Sequence, residues 1–294
     1  MSQPHPNNVY IQRVNLALDT IHANLEDELS LAYLAQVAGF SAFHFHRIFK
    51  SVVGETLSQY VWRARVEWGA MMLRSTPDMP ISDVAAFCGF TSLAAFSRAF
   101  KQRFGLPPTR WVTFEPRTHI DHLDIPTETY PVDVRHIPAQ RLAYVRVYDS
   151  YSDMGRITEA YRRLLGWFEG QGGDLTQTTL YGMSHNDPEI TPLPNCYFDW
   201  CLTIPHDWSI DTASGNTEIN VRSMPACDVA FASMWGGDLN LEARLWQYLW
   251  QHWLPAGEYQ PDELPAMEIY RRLPHEAGWW DTLYLDCAIP VVPL

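Results

Sequence analysis

The chain has 294 residues, a net charge of −13 and five cysteines. That length is sufficient for two hydrophobic cores, so we expect two domains. An odd number of cysteines without a C-x-x-C pair argues against a disulfide framework and against a thiolate metal site. Because the sequence has neither an export signal nor an apolar run long enough to span a bilayer, a cytoplasmic location without membrane contact is expected.

Charge is unevenly distributed along the chain. Residues 1–113 contain ten Lys/Arg and eight Asp/Glu, a balance of +2, whereas residues 114–294 contain eleven Lys/Arg and twenty-six Asp/Glu, a balance of −15. This asymmetry indicates two domains with different tasks. A weakly basic first domain would make few phosphate contacts with a nucleic acid.

An internal repeat with a spacing of about fifty residues lies within the first domain. Residues 34–40, LAQVAGF, return as residues 84–90, VAAFCGF, and residues 45–54, FHRIFKSVVG, return as residues 96–105, FSRAFKQRFG. Each copy predicts two short helices joined by a tight turn, with a positive φ at the first glycine. The phenylalanines recur at spacings that turn one face of the second helix inward.

Small polar residues predict where these helices begin. Ser30 and Ser41 are expected to cap the two helices of the first copy, and Ser82 and Thr91 those of the second. Between the copies, Leu57–Leu73 contains no proline and predicts a helix about 25 Å long.

A rigid spacer of that length could hold two recognition helices in successive major grooves, which lie ~34 Å apart on one DNA face. The same pattern would also fit a helical domain that never contacts DNA, because helix-turn-helix geometry is common in proteins. Periodicity alone leaves both interpretations open.

The second copy carries a longer signature, I-x2-VA-x3-GF-x5-F-x-R-x-FK-x3-G-x2-P-x2-W, between Ile81 and Trp111. In this signature the chain resembles the AraC/XylS family of bacterial transcription regulators, over roughly residues 8–113. The resemblance implies sequence-specific binding of double-stranded DNA at two successive major grooves, with RNA polymerase as a further partner. It also implies that Ser41–Ser51 and Ser92–Arg103 enter the grooves.

In the first copy, the positions that match the family's base-reading residues are Phe43, His46 and Arg47. Arg47 could fork onto guanine, His46 could donate or accept at a base edge, and Phe43 could contact a thymine methyl. A phosphate contact or an internal salt bridge is the alternative for Arg47. Lys50 and Lys101 are expected to contact phosphates.

The second copy departs from the family's usual pattern, because Leu93, Ala94 and Ala95 stand where polar base readers often occur. The polar residues expected on this helix surface are Ser92, Ser97 and Arg98. The second copy could read methyl groups or DNA shape, or could mainly hold the DNA backbone. We therefore expect most of the sequence discrimination to come from the first copy.

A segment that contains prolines and lacks a clear periodicity lies between the two halves of the chain. The absence of a clear periodicity, together with prolines, predicts a linker over residues 114–130, between a domain of residues 1–113 and a domain of residues 131–294. The second domain contains a weaker duplication, in which VRHIPAQRLA of residues 134–143 matches VRSMPACDVA of residues 221–230. The fold class expected for the whole chain is an all-α double helix-turn-helix domain followed by an α+β domain with pseudo-twofold symmetry.

Each half of the second domain predicts a strand, a helix and further strands. Helices are predicted over Ser152–Gln171 and Leu239–Leu254. The predicted strands, which form a mixed or antiparallel sheet, are Leu142–Val147, Thr179–Ser184, Tyr197–Thr203, Val229–Trp235 and Leu283–Ile289.

A crevice between two such halves would suit a small ligand, and nine of the twelve tryptophans fall in this domain. Glu268 and Tyr270 share one face of a predicted strand, where a carboxylate among aromatic rings would suit an organic cation. The alternative is a solvated Glu268 paired with Arg271 or Arg272, and most of the aromatic residues could equally be plain core. The aromatic candidates for lining the crevice are Tyr144, Phe198, Trp200, Trp235, Trp246, Trp250 and Tyr270.

This domain resembles the GyrI-like small-molecule-binding domain over about residues 130–294. The motifs that carry the resemblance are YGMSHNDP of residues 181–188, Tyr197-x-Asp199-x-Cys201, Trp253-Leu-Pro255, Glu268-x-Tyr270 and Ile289-Pro290. The resemblance implies a sensor of a small apolar or cationic molecule, with Glu268 as the anionic partner and without cofactor, metal or catalytic residue. The order of the two domains is similar to the Rob-type branch of AraC/XylS regulators.

Two other functions are compatible with the second domain. As a hydrolase, it would use Glu268 as a general base or nucleophile and Tyr270 to orient the substrate. Against this, no Ser-His-Asp signature, zinc motif or phosphate-binding glycine loop accompanies them. As a protein-binding module, the domain would sequester or recruit a partner.

Overall fold

The computed structural model describes residues 6–111, 129–210, 218–273 and 282–294. These residues form two compact units: a helical unit of residues 6–111, and a sheet unit that contains residues 129–210, 219–273 and 282–294. The predicted linker lies outside the described residues except for its last two, and the predicted domain boundaries stay predictions. None of the helices in the described segments combines the length and apolar character that a bilayer crossing requires.

The helical unit confirms the predicted all-α class and its repeated architecture. Its helices are α1 (Pro6–His22), α2 (Leu31–Val37), α3 (Ala42–Val53), α4 (Leu57–Ser75), α5 (Ile81–Phe87), α6 (Leu93–Phe104) and α7 (Pro108–Trp111). Each repeat therefore consists of a longer helix followed by a helix-turn-helix. The spacer helix α4 has 19 residues, which is about 28 Å at 1.5 Å per residue.

The helix caps of the first copy are those that the sequence predicts. Ser30 accepts the backbone N–H of Tyr33, and Ser41 accepts that of His44. Gly39 and its counterpart Gly89 have φ values of +68° and +71°, a conformation that glycine adopts without strain. The turn of each copy is therefore fixed by local chemistry.

The caps predicted for the second copy are wrong. Helix α5 begins directly after Pro80, so that Ser82 lies within its first turn and its hydroxyl donates to Asp83. The cap of α6 is Ser92 and not Thr91. The second copy has one more residue in this turn than the first, and the cap moves by one position along the chain.

Phenylalanine rings form the centre of each helix-turn-helix. Phe45 and Phe49 in the first copy, and Phe96 and Phe100 in the second, are fully buried. A Cβ on Gly69 of α4 would lie 2.7 Å from the ring of Phe96, so this glycine permits α6 to pack closely on the spacer helix. The inward face that the repeat predicts is thereby confirmed.

The sheet unit contains one antiparallel sheet flanked by helices. Its elements are β1 (Asp133–Ile137), β2 (Gln140–Tyr148), α8 (Met154–Gly170), β3 (Leu180–Ser184), β4 (Tyr197–Thr203), β5 (Asn220–Met224), β6 (Cys227–Gly237), α9 (Leu239–Tyr248), α10 (Leu254–Ala256), β7 (Tyr259–Pro261), β8 (Ala266–Tyr270) and β9 (Leu283–Pro293). A π-helical turn, Leu249–Trp253, continues α9 into α10.

The strand order displays the predicted pseudo-twofold symmetry. It runs β1-β6-β9-β8-β3-β4-β2-β5, with β7 beside β9, so the central pair is β8 and β3. The first strand of each half pairs with the other half, since β1 lies against β6 and β5 against β2. This exchange of strands joins the two halves into one sheet.

Both long helices pack on the same face of the sheet. Helix α8 contacts β2 and β4, whereas α9 contacts β6 and β9. The central strands β3 and β8 therefore lie between the two helices, at the position where a crevice was expected.

Candidate functional site

The exposed face of α3 carries the side chains that were predicted to read bases. Phe43 is 76% exposed, and the guanidinium carbon of Arg47 lies 6.0 Å from the centroid of its ring. His46 and Lys50 are exposed on the same helix. Since Phe45 and its neighbours fix the opposite face in the core, these side chains extend to solvent from a rigid element.

Helix α6 presents a less polar surface. Arg98 and Lys101 are exposed, whereas Ser97 is half-buried. The hydroxyl oxygen of Ser92 accepts the N–H of Ala95 at 3.2 Å and caps the helix. Arg98 and Lys101 therefore supply the cationic groups of this surface, and Ser92 has a structural role besides its predicted contact.

Arg65 of α4 joins the two helix-turn-helix copies. Its guanidinium donates to the backbone oxygens of Leu25 and Asp27, just after α1, at 2.8 and 2.5 Å. It also donates to the backbone oxygen of Gly89, in the turn before α6, at 3.2 Å. One charged side chain thus connects the first copy to the turn of the second.

A chain of ion pairs connects the end of α3 to α6 through α4. Arg63 donates to Glu55 at 2.6 Å and to Glu67 at 2.8 Å, and Arg103 of α6 donates to the other oxygen of Glu67 at 2.9 Å. Arg63 and Glu67 are buried. Because breaking one pair would leave a buried charge, this chain holds α3 and α6 in a fixed relation.

The crevice of the sheet unit contains two neighbouring carboxyl groups. Glu268 of β8 accepts the hydroxyl of Tyr270 at 2.6 Å, and Glu242 of α9 accepts the indole N–H of Trp246 at 3.2 Å. Burial and the charge of Glu268 raise the pKa of Glu242 well above its ordinary value. Burial also raises the pKa of Glu268, against the lowering effect of hydrogen bonds from Tyr270 and Glu242. The two carboxyls therefore interact directly, and their titrations are linked.

Neither glutamate of this pair has a cationic partner among the residues that the structure describes. The alternative in which Glu268 pairs with a neighbouring arginine is wrong, because Arg271 binds Asp286 at 2.8 Å and Arg272 lies over the ring of Tyr284. Two carboxyls without a basic partner form an uncommon buried arrangement.

Aromatic rings surround the glutamate pair. The rings of Tyr270 and Trp200 are 5.4 Å apart, and those of Trp200 and Phe198 are 5.0 Å apart. Tyr151, in the turn that precedes α8, is 45% exposed, and burial of its hydroxyl together with nearby acidic groups, including Glu242 and Glu268, raises its pKa. The site thus combines acidic groups with aromatic side chains.

Comparison with known families agrees with this geometry. The profile of the GyrI-like small-molecule-binding domain matches residues 130–291, more than half of the chain. The chain belongs to the GyrI-like family. A second profile, described as a helix-turn-helix domain, matches residues 34–113, and this domain is of the AraC type.

The GyrI-like chain has relatives among curated bacterial proteins. It is 28% identical to the transcriptional regulator Rob of Salmonella typhimurium strain LT2 over 182 residues, which are 58% of this chain and 61% of Rob. It is 35% identical to YbfP of Bacillus subtilis strain 168, an uncharacterised helix-turn-helix-type transcriptional regulator, over 37% of this chain and 36% of YbfP. The chain therefore spans less than two thirds of either relative.

A solved structure is also similar to the helical unit. It is the crystal structure of a transcriptional regulator with an AraC-type DNA-binding domain from Chromobacterium violaceum, which is 27% identical over 34% of this chain and 89% of that chain, with a TM-score of 0.32.

The structure brings only part of the predicted ligand set to the glutamate pair. Phe198, Trp200 and Tyr270 lie on the face of the sheet that α8 and α9 cover, and Trp246 and Trp250 pack against the same core. Tyr144 is fully buried on the opposite face. Trp235 is 65% exposed beneath the guanidinium of Arg271. Tyr144 and Trp235 are thus not brought to Glu268.

Two buried aspartates on the opposite face show what the glutamate pair lacks. The carboxylate of Asp199 in β4 is hydrogen-bonded to Arg146, Arg222 and His185. The two carboxylate oxygens of Asp286 in β9 form ion pairs with Arg135 and Arg271. Burial favours a higher pKa, but the arginines and His185 hold the pKa of Asp199 well below its ordinary range. Among the described residues, Asp199 and Asp286 are buried carboxylates that arginines compensate, whereas Glu242 and Glu268 have no such partner.

Sequence reasoning missed two residues of the site: Glu242, and Gly182 of β3, which is paired with Glu268 in the sheet. Glu242 looks like an ordinary acidic residue in the first turn of a capped helix, and no local signal distinguishes it. The duplication could have indicated the aspartates, since Tyr197-x-Asp199 recurs as Tyr284-x-Asp286.

Proposed function

We propose that the chain binds double-stranded DNA in a sequence-specific way and regulates transcription in response to a small organic cation bound by its GyrI-like domain. The observation that carries the DNA-binding part is the pair of exposed second helices, α3 and α6, on one rigid helical unit. The names of Rob and YbfP as transcriptional regulators support it. The predicted contact with RNA polymerase stays a prediction.

The geometry of the helical unit favours one docking mode. The spacer α4 is about 28 Å long, close to the ~34 Å that separates successive major grooves on one DNA face. The ion pairs from Glu55 to Arg103 hold the two recognition helices rigidly. A single chain would then contact two adjacent grooves, as dimers do in other helix-turn-helix proteins.

The test is a footprint on DNA that the protein itself selects. Fragments of randomised duplex are enriched by repeated binding to the full chain, and the tightest duplex is then footprinted with hydroxyl radicals. We expect protection of two regions about one helical turn apart. Protection over a single region, or no enrichment above random sequence, would contradict the proposal.

The ligand part of the proposal depends on the glutamate pair. A cation would supply the positive partner that Glu268 lacks among the described residues, and Tyr270, Trp246 and Tyr151 place aromatic side chains near the glutamate pair. The compensated aspartates of the same domain show that a buried carboxylate normally has its own arginine. The effector class that fits is therefore a lipophilic organic cation.

Thermal shift measurements test this ligand class. A panel of phosphonium and quaternary ammonium ions, with uncharged analogues of similar shape, is added to the wild type and to Glu268→Gln. Stabilisation of the wild type by the cations alone, lost in the variant, is the expected result. Equal stabilisation by the uncharged analogues would contradict a cation site, and turnover of an ester that requires Glu268 would favour the hydrolase.

A further inference from the structure

The surface that α6 offers to DNA is built from carbon at its N-terminal end. Leu93 is 46% exposed, Ala94 is exposed and Ala95 is half-buried. The nearest hydroxyl, that of Ser92, accepts the N–H of Ala95 as the helix cap. The first turn of α6 therefore offers no side-chain amide, carboxylate or charge to a base edge.

The corresponding turn of α3 is organised differently. Both helices begin directly after a capping serine, so Leu93 of α6 corresponds to Ala42 of α3, and Ala94 corresponds to Phe43. In α3 the large apolar side chain is at the second helical position, beneath Arg47. In α6 it is at the first, followed by a small residue. The two helices therefore present unlike surfaces to the groove.

An apolar first turn restricts what α6 can recognise. In helix-turn-helix proteins, the N-terminal residues of the recognition helix contact the base edges. The apolar feature of the major groove is the C5-methyl group of thymine, because the other groups at base edges there are hydrogen-bond donors or acceptors. A leucine that is nearly half-exposed in the free protein gains free energy when it covers such a methyl.

We infer that Leu93 and Ala94 make the first turn of α6 a reader of thymine methyl groups, whereas α3 presents His46 and Arg47, which can form hydrogen bonds, beside Phe43. This inference rests on the proposed binding of two major grooves. Arg98, one turn further along α6, is then the residue of this helix that contacts a purine.

Substitution of deoxyuridine for thymidine tests the inference directly, because uracil keeps every hydrogen-bonding group of thymine and lacks only the methyl. The probe is the tightest duplex selected from randomised DNA by the full chain, resynthesised with one uracil at a time. The half-site of α6 is identified beforehand as the region where Arg98→Ala, but not Arg47→Ala, relaxes the base preference.

For the wild type, we expect uracil at one or two positions of the α6 half-site to weaken binding about threefold to tenfold, as expected for the loss of one buried methyl contact. Leu93→Ala should weaken binding to the thymine duplex to a similar extent. Introducing uracil should then reduce the affinity of this variant only slightly further. Leu93→Gln should shift the preference at that position towards adenine, which an amide binds at two atoms. Leu93 is exposed, so neither variant disturbs the core.

The outcomes separate the inference from the proposed function. If the selected duplex binds tightly but uracil is tolerated at every thymine of the α6 half-site, the inference is wrong and the proposed function stands. The inference is also wrong if uracil weakens the wild type and Leu93→Ala equally. If no duplex is enriched at all, the proposed function fails and the inference fails with it.

Discussion

Gly182 of β3 lies directly opposite Glu268 of β8 in the register of the two central strands. The strand order makes these two positions equivalent under the pseudo-twofold axis. A Cβ on Gly182 would lie 2.6 Å from a carboxylate oxygen of Glu268 and 2.5 Å from the ring of Phe198. The symmetry is therefore broken at its centre, where one half omits a side chain and the other places a carboxylate in the space.

Gly182→Ala is expected to displace the carboxylate of Glu268, since the added methyl group would clash with that carboxylate and with the ring of Phe198. Cation binding should weaken at least about tenfold, which is the effect of about 1.4 kcal/mol. Calorimetric titration with a cation that stabilises the wild type measures this.

Gly166→Ala is the matched control for that substitution. Gly166 lies within α8, and a Cβ there would meet nothing within 4 Å. Alanine in a helix is favoured over glycine, so this variant should bind as the wild type does and be slightly more stable. An equal loss of affinity in both variants would contradict the steric argument.

The raised pKa values of Glu242 and Glu268 predict a pH dependence of cation binding. Burial raises both pKa values, so the free site retains a proton at pH values where an exposed carboxyl has lost its own. A cation favours the form without that proton. Affinity should therefore increase as the pH rises above ~4.5, by up to about tenfold per pH unit, and level off once the free pair has lost its proton.

Glu242→Gln isolates this effect, because glutamine keeps a hydrogen-bond donor for Glu268 but does not titrate. Calorimetry in two buffers of different ionisation enthalpy counts the protons released per cation bound. At pH values below the plateau of the profile, the wild type should release close to one proton and Glu242→Gln close to none, with a flatter pH profile. Release of a full proton by the variant would show that another group carries it.

Local chemistry explains why much of this protein can be predicted from its sequence. Ser30, Ser41 and the glycine turns act within a few residues of their own position, and the repeated phenylalanines determine which face of α3 and α6 is buried. Predictions fail where partners are distant in sequence. Glu242 acquires its role from Glu268, 26 positions away, and Tyr144 faces away from the site because of its strand register with Cys201.

Arg47→Ala and Lys101→Ala should have different effects on DNA binding. Arg47 is exposed beside Phe43 at the expected base-reading position, so its removal should lose about 1–3 kcal/mol at one guanine and relax the preference there. Lys101 is expected to contact a phosphate, so its removal should weaken all sequences alike and reduce the salt dependence of binding. Competition binding with singly substituted duplexes separates the two, and a sequence-independent loss for Arg47→Ala would refute its assignment as a base reader.

Arg65→Ala is expected to uncouple the two helix-turn-helix copies. The guanidinium holds backbone oxygens of Leu25, Asp27 and Gly89 together, and a hydrogen bond to a charged group contributes about 1.5–3 kcal/mol. The variant should unfold at a lower temperature and should lose more affinity for a two-groove duplex than for one that contains a single half-site. Arg98→Ala, which removes an exposed arginine from α6, serves as the control and should leave the melting temperature unchanged. If Arg65→Ala weakened both duplexes by the same factor, Arg65 would stabilise the fold without setting the distance between α3 and α6.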